Sequence, residues 1–200
     1  FTEARSRAAG VAAALADLDH HRDAPAFLYL GTTDHANGPY PTLAACSAAG
    51  VGSVADVAAH YDAATVEVDQ QLGRLVAQLR AWGVWDQTML IVTSDRGVYL
   101  GEHGRCGFAD ALTDTELHVP LIIHDPARFP AGAVGDEGTE AGDGRPTILA
   151  ALGRPLPPGA LGAPLEPLAR GEGHLWPRPT YALDGARYAV QIGRWKARYD

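Results

Sequence analysis

Apolar positions in the first half of the chain recur at helical spacing. Residues 4–22 are rich in alanine, with Leu15 and Leu18 among charged side chains, which predicts an exposed helix. A second pattern begins after Ser53, where a capping-box signal precedes apolar positions spaced by three and four residues up to Gly83. One long helix is therefore predicted from the following apolar residues: Val57, Tyr61, Ala64, Val68, Leu72, Leu75, Val76 and Leu79.

Three short apolar runs have the length and composition of buried strands. They occupy residues 26–30, 88–93 and 119–123, and each is bounded by polar or turn-forming residues. The first two runs are separated by the long helix, and the last two by a polar loop and a short helix. The order of these elements predicts an α/β fold with a doubly wound, mostly parallel sheet.

The last third of the chain has a different pattern. Residues 125–173 are rich in proline and glycine, so we expect surface loops around one helix near residues 147–152, without a catalytic role. Residues 180–183 and 187–192 flank an Asp-Gly-Ala turn signal and predict a hairpin, to which residues 195–199 add another strand. The C-terminus is therefore predicted to be a small antiparallel element.

Composition and charge narrow the classes of partner. The net charge of −8, from 24 acidic and 16 basic residues with no Lys/Arg run, argues against nucleic acid as the main partner. The apolar runs are far shorter than the roughly 20 residues of a membrane span, so none is expected in this chain. Phe1 opens the sequence without a methionine or a leader pattern, so we expect the natural N-terminus to be missing. Cys46 and Cys106 fit either free thiols or one bridge, and leave the compartment open.

Two polar loops follow predicted strands, at residues 32–40 and 94–108. Since ligands bind at the carboxyl ends of strands in such sheets, these loops are the candidate site. Asp95 comes at the end of a predicted strand, and the nearby Gly97 would let the backbone approach a ligand. The Asp95 carboxylate is therefore a candidate ligand for calcium, magnesium or manganese. From spacing alone, an Asx-type turn or a helix-capping role is the favoured interpretation of an aspartate at this position.

Histidines offer further candidates. His103, beside Glu102 and Arg105, is a candidate titrating or anion-binding group, and its alternative is an exposed loop histidine. His35 lies in a loop with Asn37 and has the same two interpretations. His118 and His124 flank the 119–123 strand, where a histidine commonly just satisfies backbone groups. The sequence contains no phosphate-binding glycine loop, GxSxG elbow or HExxH motif, which argues against nucleotide binding, serine hydrolysis and thermolysin-like zinc chemistry.

Six segments, in order, resemble the C-terminal half of the sulfatase family of the alkaline phosphatase superfamily, and cover most of the chain from about residue 20. They are FLYLGTTDHANGPY, YDAATVEVDQQLGRLVAQLRAWGVWDQTMLIVTSDRG, GEHGRCGF, ELHVPLIIHDPARFPAG, RPTILAALGRPLPPGALGAPLEPLARG and GRWKAR. The resemblance implies that residues 1–173 are the C-terminal part of the catalytic α/β domain. It also implies that residues 174–200 begin a small antiparallel subdomain.

The resemblance implies hydrolysis of a small-molecule or glycan sulfate ester, assisted by a divalent cation, usually calcium, with magnesium or manganese as alternatives. The family's nucleophile is a formylglycine made from a Cys or Ser in a CxPxR-type or SxPxR-type motif. No Cys or Ser of this chain begins that pattern, so the formylglycine is expected in a missing N-terminal half, which would also complete the sheet. Family members are often periplasmic or secreted, and the same location is expected here.

At individual positions the chain both matches and departs from the family. Asp95 matches the strand-tip metal ligand. The next position is His or Asn in the family but Arg96 here, and a guanidinium has no lone pair to offer a metal. Phe108 stands where many members place an anion-binding Lys or His. Asn37 occupies the register of a substrate-contacting His, unless His35 reaches it through an offset.

Because these departures concentrate on the site and spare the elements that determine the fold, we hypothesise a degenerate metal and anion site in an impaired or non-catalytic family member. Arg96 contacting an anionic substrate directly is the alternative for a modified but active site. A second interpretation is a non-catalytic relative that binds anions through Arg96, Arg105 and His103. A third is a phosphate-ester hydrolase of the same superfamily.

Overall fold

The structure is a computed structural model that describes residues 7–21, 24–31, 54–108, 111–135, 137–172 and 178–199. The chain forms two compact units, each described here by itself. The first comprises Phe1–Trp85 with Tyr99–Ala109, and the second comprises Asp86–Val98 with Asp110–Asp200. The predicted division of the chain at residue 173 into catalytic domain and subdomain stays a prediction.

The first unit is built on two helices, α1 (Arg7–His20) and α2 (Val54–Ala81), which pack against each other. Both were predicted from helical periodicity, and the buried positions of α2 include the expected Val57, Leu75 and Leu79. Helix α2 ends as the sequence indicates, because Gly83 has a φ of 71° that a side chain would disfavour.

A short hairpin completes the described part of this unit. It pairs β2 (Tyr99–Leu100) with β3 (Cys106–Gly107), and β2 packs against α2. Tyr99 is completely buried, and Cys106 is buried and disulfide-bonded. Between the strands, Glu102–Gly104 form one turn of 3₁₀ helix.

The predicted strand at residues 26–30 is not formed. Residues 25–31 have no regular secondary structure and are exposed, with Phe27 and Tyr29 at 76% and 81% exposure. An apolar run shows only that a segment favours burial, whereas a strand also requires a neighbour for its backbone hydrogen bonds. In the part of the chain that the structure describes, no strand pairs with this run.

The second unit contains the two other predicted strands, β1 (Leu90–Thr93) and β4 (Leu121–His124). They pair antiparallel, from Leu90 opposite His124 to Thr93 opposite Leu121, so the predicted parallel arrangement is wrong for this pair. The connection from 94 to 120 leaves and returns at the same end of the two strands, as a wide hairpin rather than a crossover. The burial expected of both strands is also incomplete, since Ile122 is 62% exposed.

Short helices lie between and after these strands. They are α3 (Asp114–Leu117), α4 (Gly144–Ala151) and α5 (Glu166–Ala169), with 3₁₀ turns at Trp85–Gln87 and Ala141–Asp143. Helix α4 is the helix predicted near residue 147. The 125–173 region is not simply surface loops, however, because Asp143, Pro146 and Thr147 are among the most deeply buried residues of the chain.

The C-terminal antiparallel element is confirmed as a three-stranded sheet in the order β5-β6-β7. Its strands are β5 (Thr180–Asp184), β6 (Arg187–Ile192) and β7 (Trp195–Tyr199). Gly185, with a φ of 58°, forms the predicted turn. No helix among the described residues is long and apolar enough to cross a membrane.

Candidate functional site

Asp95 lies where the sequence predicts, two residues after the end of β1. Its neighbours form a tight turn, in which the Ser94 hydroxyl donates a hydrogen bond to the Arg96 carbonyl at 2.8 Å. Asp95 and Arg96 are both exposed. The carboxylate therefore lies at the end of a strand and is accessible to a ligand, as a metal site requires. The same geometry is also compatible with the interpretation of Asp95 as a turn residue.

The loop after Asp95 is fixed by a close backbone contact. The Gly97 amide donates a hydrogen bond to the Glu116 carbonyl at 2.8 Å. A Cβ at position 97 would lie 2.0 Å from the Thr115 carbonyl oxygen, so only glycine fits without displacing the backbone. Sequence reasoning placed Gly97 near a ligand, whereas the structure uses it for contact with α3.

His103 and Phe108 belong to the other unit. His103 lies exposed in the 3₁₀ turn with a φ of 54°, and its ring meets the buried Tyr99 ring edge-on at 6.5 Å between centroids. The adjacent Glu102 carboxylate accepts the Leu100 amide at 2.6 Å and so stabilises the turn. Phe108 is 40% exposed. His35 and Asn37 lie outside the described residues.

A divalent cation needs oxygen ligands, and few of the described residues near Asp95 could supply them. Asp95 fits the preference of calcium or magnesium for carboxylate oxygens. Arg96 does not, because its side chain only donates hydrogen bonds. Within the described ranges, no three or more His, Cys, Asp or Glu side chains are grouped as a metal would need. Asp95 is thus one suitable ligand, and a complete site would need others.

Asp143 is a residue whose importance sequence reasoning missed. Its carboxylate accepts the backbone amides of Glu140 and Ala163, each at 2.8 Å, and forms a two-point ion pair with Arg178. It thereby connects the start of α4, the 161–165 segment and the approach to β5. The Glu140-to-Asp143 spacing is a local signal of helix capping that could have indicated part of this role.

The α/β elements of the chain match a known fold class. The chain superimposes on the phosphonate monoester hydrolase of Agrobacterium radiobacter with a TM-score of 0.64 and 28% identity, over 89% of this chain and 43% of that one. A solved 2-O GAG sulfatase, BT1596, shares this fold with a TM-score of 0.58 and 19% identity, over 66% of this chain and 31% of that one. The class is therefore that of proteins with an alkaline-phosphatase-like α/β fold.

Sequence comparison identifies the family within this class. The Sulfatase family profile matches residues 7–154, so the chain belongs to the sulfatase family, as the sequence motifs predicted. It is 35% identical over 105 residues to the multifunctional alkaline phosphatase superfamily protein PehA of Trinickia caryophylli, covering 50% of this chain and 20% of that protein. It is 37% identical over 90 residues to an N-acetylglucosamine-6-O-sulfatase of Bacteroides thetaiotaomicron, covering 44% and 16% respectively. The chain thus spans at most a fifth of these curated relatives' length.

Proposed function

We propose that this chain is part of a hydrolase of sulfate esters in which Asp95 supplies one ligand of a divalent cation. The supporting observation is the exposed carboxylate at the end of β1, inside the region that matches the family. Calcium is the cation we expect first, with magnesium or manganese as alternatives, because all three prefer oxygen ligands. A bound cation would polarise an oxygen of the sulfate group.

Arg96 determines how this site differs from a typical family member. Its guanidinium stays charged and presents a planar set of donors that suits an oxyanion. It cannot take over the metal ligand that the family carries at this position. We therefore expect a site that holds the sulfate group more directly through Arg96 and holds the cation more weakly.

The nucleophile has to come from elsewhere in the protein. No Cys or Ser of the 200 residues is followed by the xPxR pattern of the formylglycine motif. In our proposal Asp95 and Arg96 bind and orient the ester. A formylglycine in the part of the family's sequence that this chain does not span would supply the nucleophile as a hydroxyl of its hydrate. A small molecule or a glycan carries the sulfate.

Two other functions have specific support. The substitution of Arg96 and Phe108 for family site residues supports a non-catalytic protein that binds anions without turnover. The matches to a phosphonate monoester hydrolase and to PehA support hydrolysis of a phosphorus ester by a related site. Assays with sulfate, phosphate and phosphonate esters separate the two hydrolases, and binding without turnover identifies the first alternative.

The test is calcium and magnesium titration by calorimetry of the protein encoded by the complete natural gene. Asp95→Ala should abolish or strongly weaken binding, because it removes a ligand oxygen. Asp86→Ala is the matched control, since Asp86 is an exposed aspartate in the 3₁₀ turn preceding β1. Arg96→His should tighten binding by adding a ring nitrogen and removing a positive charge.

The outcomes are distinct. Loss of binding in Asp95→Ala but not in Asp86→Ala supports the metal site, and sulfate-ester turnover then supports the enzyme. Binding that appears only in Arg96→His supports the non-catalytic protein. Equal binding in Asp95→Ala and wild type overturns the assignment of Asp95 as a ligand.

We also propose a periplasmic or secreted location. The disulfide at Cys106 supports it, because structural disulfides persist mainly in oxidising compartments. Thiol labelling of the protein in its source cells, with and without reductant, tests this: labelling without reductant contradicts the proposal.

A further inference from the structure

The turn at residues 94–97, the Asp95 loop, is held by residues that were not assigned to the site. Gly97 contacts the backbone of α3 both by its hydrogen bond to Glu116 and by the close approach to Thr115. Asp95 precedes this contact by only two residues. The position of the carboxylate therefore depends on where the 115–116 backbone lies.

Glu116 stabilises that backbone from within. It is buried to 7% exposure, and its carboxylate accepts the Ala111 amide at 2.7 Å. Its own amide donates to the Thr113 carbonyl at 3.0 Å, closing the turn that begins α3. Because a buried carboxylate without such partners is costly, Glu116 favours one conformation of the 111–116 segment.

The C-terminal strand reaches the same segment with two cations. The Lys196 ammonium lies 2.7 Å from the Asp114 carboxylate, and the Arg198 guanidinium donates to the Ala111 carbonyl at 2.7 Å. The Lys196 side chain is 18% exposed and the Asp114 side chain is 71% exposed, so the cation is largely covered by protein while the carboxylate faces water. These contacts connect residues 82 and 87 positions apart in sequence.

We propose that Glu116, Lys196 and Arg198 are positioning residues that hold the Asp95 loop in place for its ligand. The connection runs from β7 through the 111–116 segment to Gly97, entirely within the second unit. None of the three residues contacts the ligand itself. The inference rests on the proposed function for its purpose, but the physical coupling can be measured without activity.

The experiment is peptide-resolved hydrogen–deuterium exchange of the full-length protein, followed by calcium titration of the same variants. Glu116→Ala and the double variant Lys196→Met/Arg198→Met should raise exchange in the peptide containing Gly97 by roughly tenfold. They should also weaken calcium binding. Glu116→Gln should retain slow exchange, because an amide oxygen can still accept the Ala111 amide.

Two further variants keep the test independent of misfolding. Asp114→Ala removes the acceptor of the Lys196 ammonium at a position with 71% exposure, so it should speed exchange in the Gly97 peptide without unfolding the chain. Arg194→Met is the matched control, because Arg194 stacks on the Trp195 ring in the same hairpin and removal of its charge should leave exchange unchanged. Exchange in β1 reports whether the fold is intact.

Exchange at the wild-type rate in Asp114→Ala and in the double variant overturns the positioning role, whatever the calcium result. Fast exchange in these variants with slow exchange in Arg194→Met supports it. If exchange responds as expected but wild-type protein binds no calcium, the positioning role stands and the proposed metal site fails.

Discussion

Two aspartates of the second unit occupy opposite environments. Asp143 is completely buried, and both carboxylate oxygens accept hydrogen bonds from backbone amides and from Arg178. Asp95 is exposed, and none of the described residues makes a hydrogen bond or ion pair with its side chain. A carboxylate whose acceptor capacity is used by the protein supports structure, whereas one with unused capacity can accept a ligand.

The pKa of Asp143 reflects its buried and hydrogen-bonded environment. Burial raises the pKa of its carboxyl, but hydrogen bonds from Arg178 and from the Glu140 and Ala163 amides lower it more, and the net pKa lies below the ordinary value. The same hydrogen bond raises the pKa of Arg178. Both groups therefore stay charged, and the pair joins α4 to the C-terminal sheet.

The largest effect is expected from Asp143→Ala. The substitution leaves Arg178 without its partner and the two backbone amides without an acceptor, which should cost about 3 kcal/mol of unfolding free energy. Asp95→Ala, at an exposed position, should change it by less than about 0.5 kcal/mol. Urea denaturation measures both.

Asp143→Asn provides the control, since it keeps an acceptor oxygen and loses the charge, so it should fall between alanine and wild type. Equal destabilisation by Asp95→Ala and Asp143→Ala would show that Asp95 also has a structural role.

A second comparison uses two glycines. Gly97→Ala should destabilise the protein by about 2 kcal/mol, because the new Cβ would overlap the Thr115 carbonyl. Gly73→Ala is the control in α2, where nothing lies within 4 Å of the added Cβ. It should stabilise by up to about 1 kcal/mol, since alanine favours helix. Thermal unfolding of both variants measures the difference.

Equal melting temperatures for Gly97→Ala and wild type would contradict the close contact at the Asp95 loop. A loss of stability with calcium binding retained would show that the loop can shift without displacing the ligand.

The elements that the sequence predicted well are those with local signals. Helix α2 follows from apolar spacing and its terminal Gly83, and the β5-β6 hairpin follows from two strand-like runs around Gly185. The direction of β4 could not be predicted, because an apolar run has the same composition whichever way it pairs. The composition of an apolar run also does not show whether a neighbouring strand is present, which is why a strand was wrongly predicted at residues 26–30.

The candidate site likewise combines features with local sequence signals and features that depend on residues far apart in the sequence. The position of Asp95 at the end of a strand was predictable from an apolar run followed by a polar residue. The role of Asp143 was not, because its ion pair joins residues 35 positions apart and only the capping signal at Glu140 is local. The contact of Gly97 with Thr115 likewise depends on folding of the intervening loop.

The smallest expected effect is a dependence of stability on pH. Because the pKa of Asp143 in the folded chain lies below its ordinary value of 3.8, its charge stabilises the fold fully above that value. This contribution is lost as the pH falls through the lowered pKa, where the carboxyl becomes protonated and the pair with Arg178 breaks. Wild-type protein should therefore lose urea resistance on acidification below about pH 4.

Asp143→Asn removes the titrating group and should lose less stability over the same acid range than wild type does. Asp95→Asn is the matched control and should keep the wild-type dependence of stability on pH, because the ion pair that breaks on acidification involves Asp143. Urea midpoints measured at intervals from about pH 6 to about pH 2 test this. If Asp143→Asn kept the full wild-type acid loss, the acid sensitivity would have to come from other carboxylates, because asparagine does not titrate in this range.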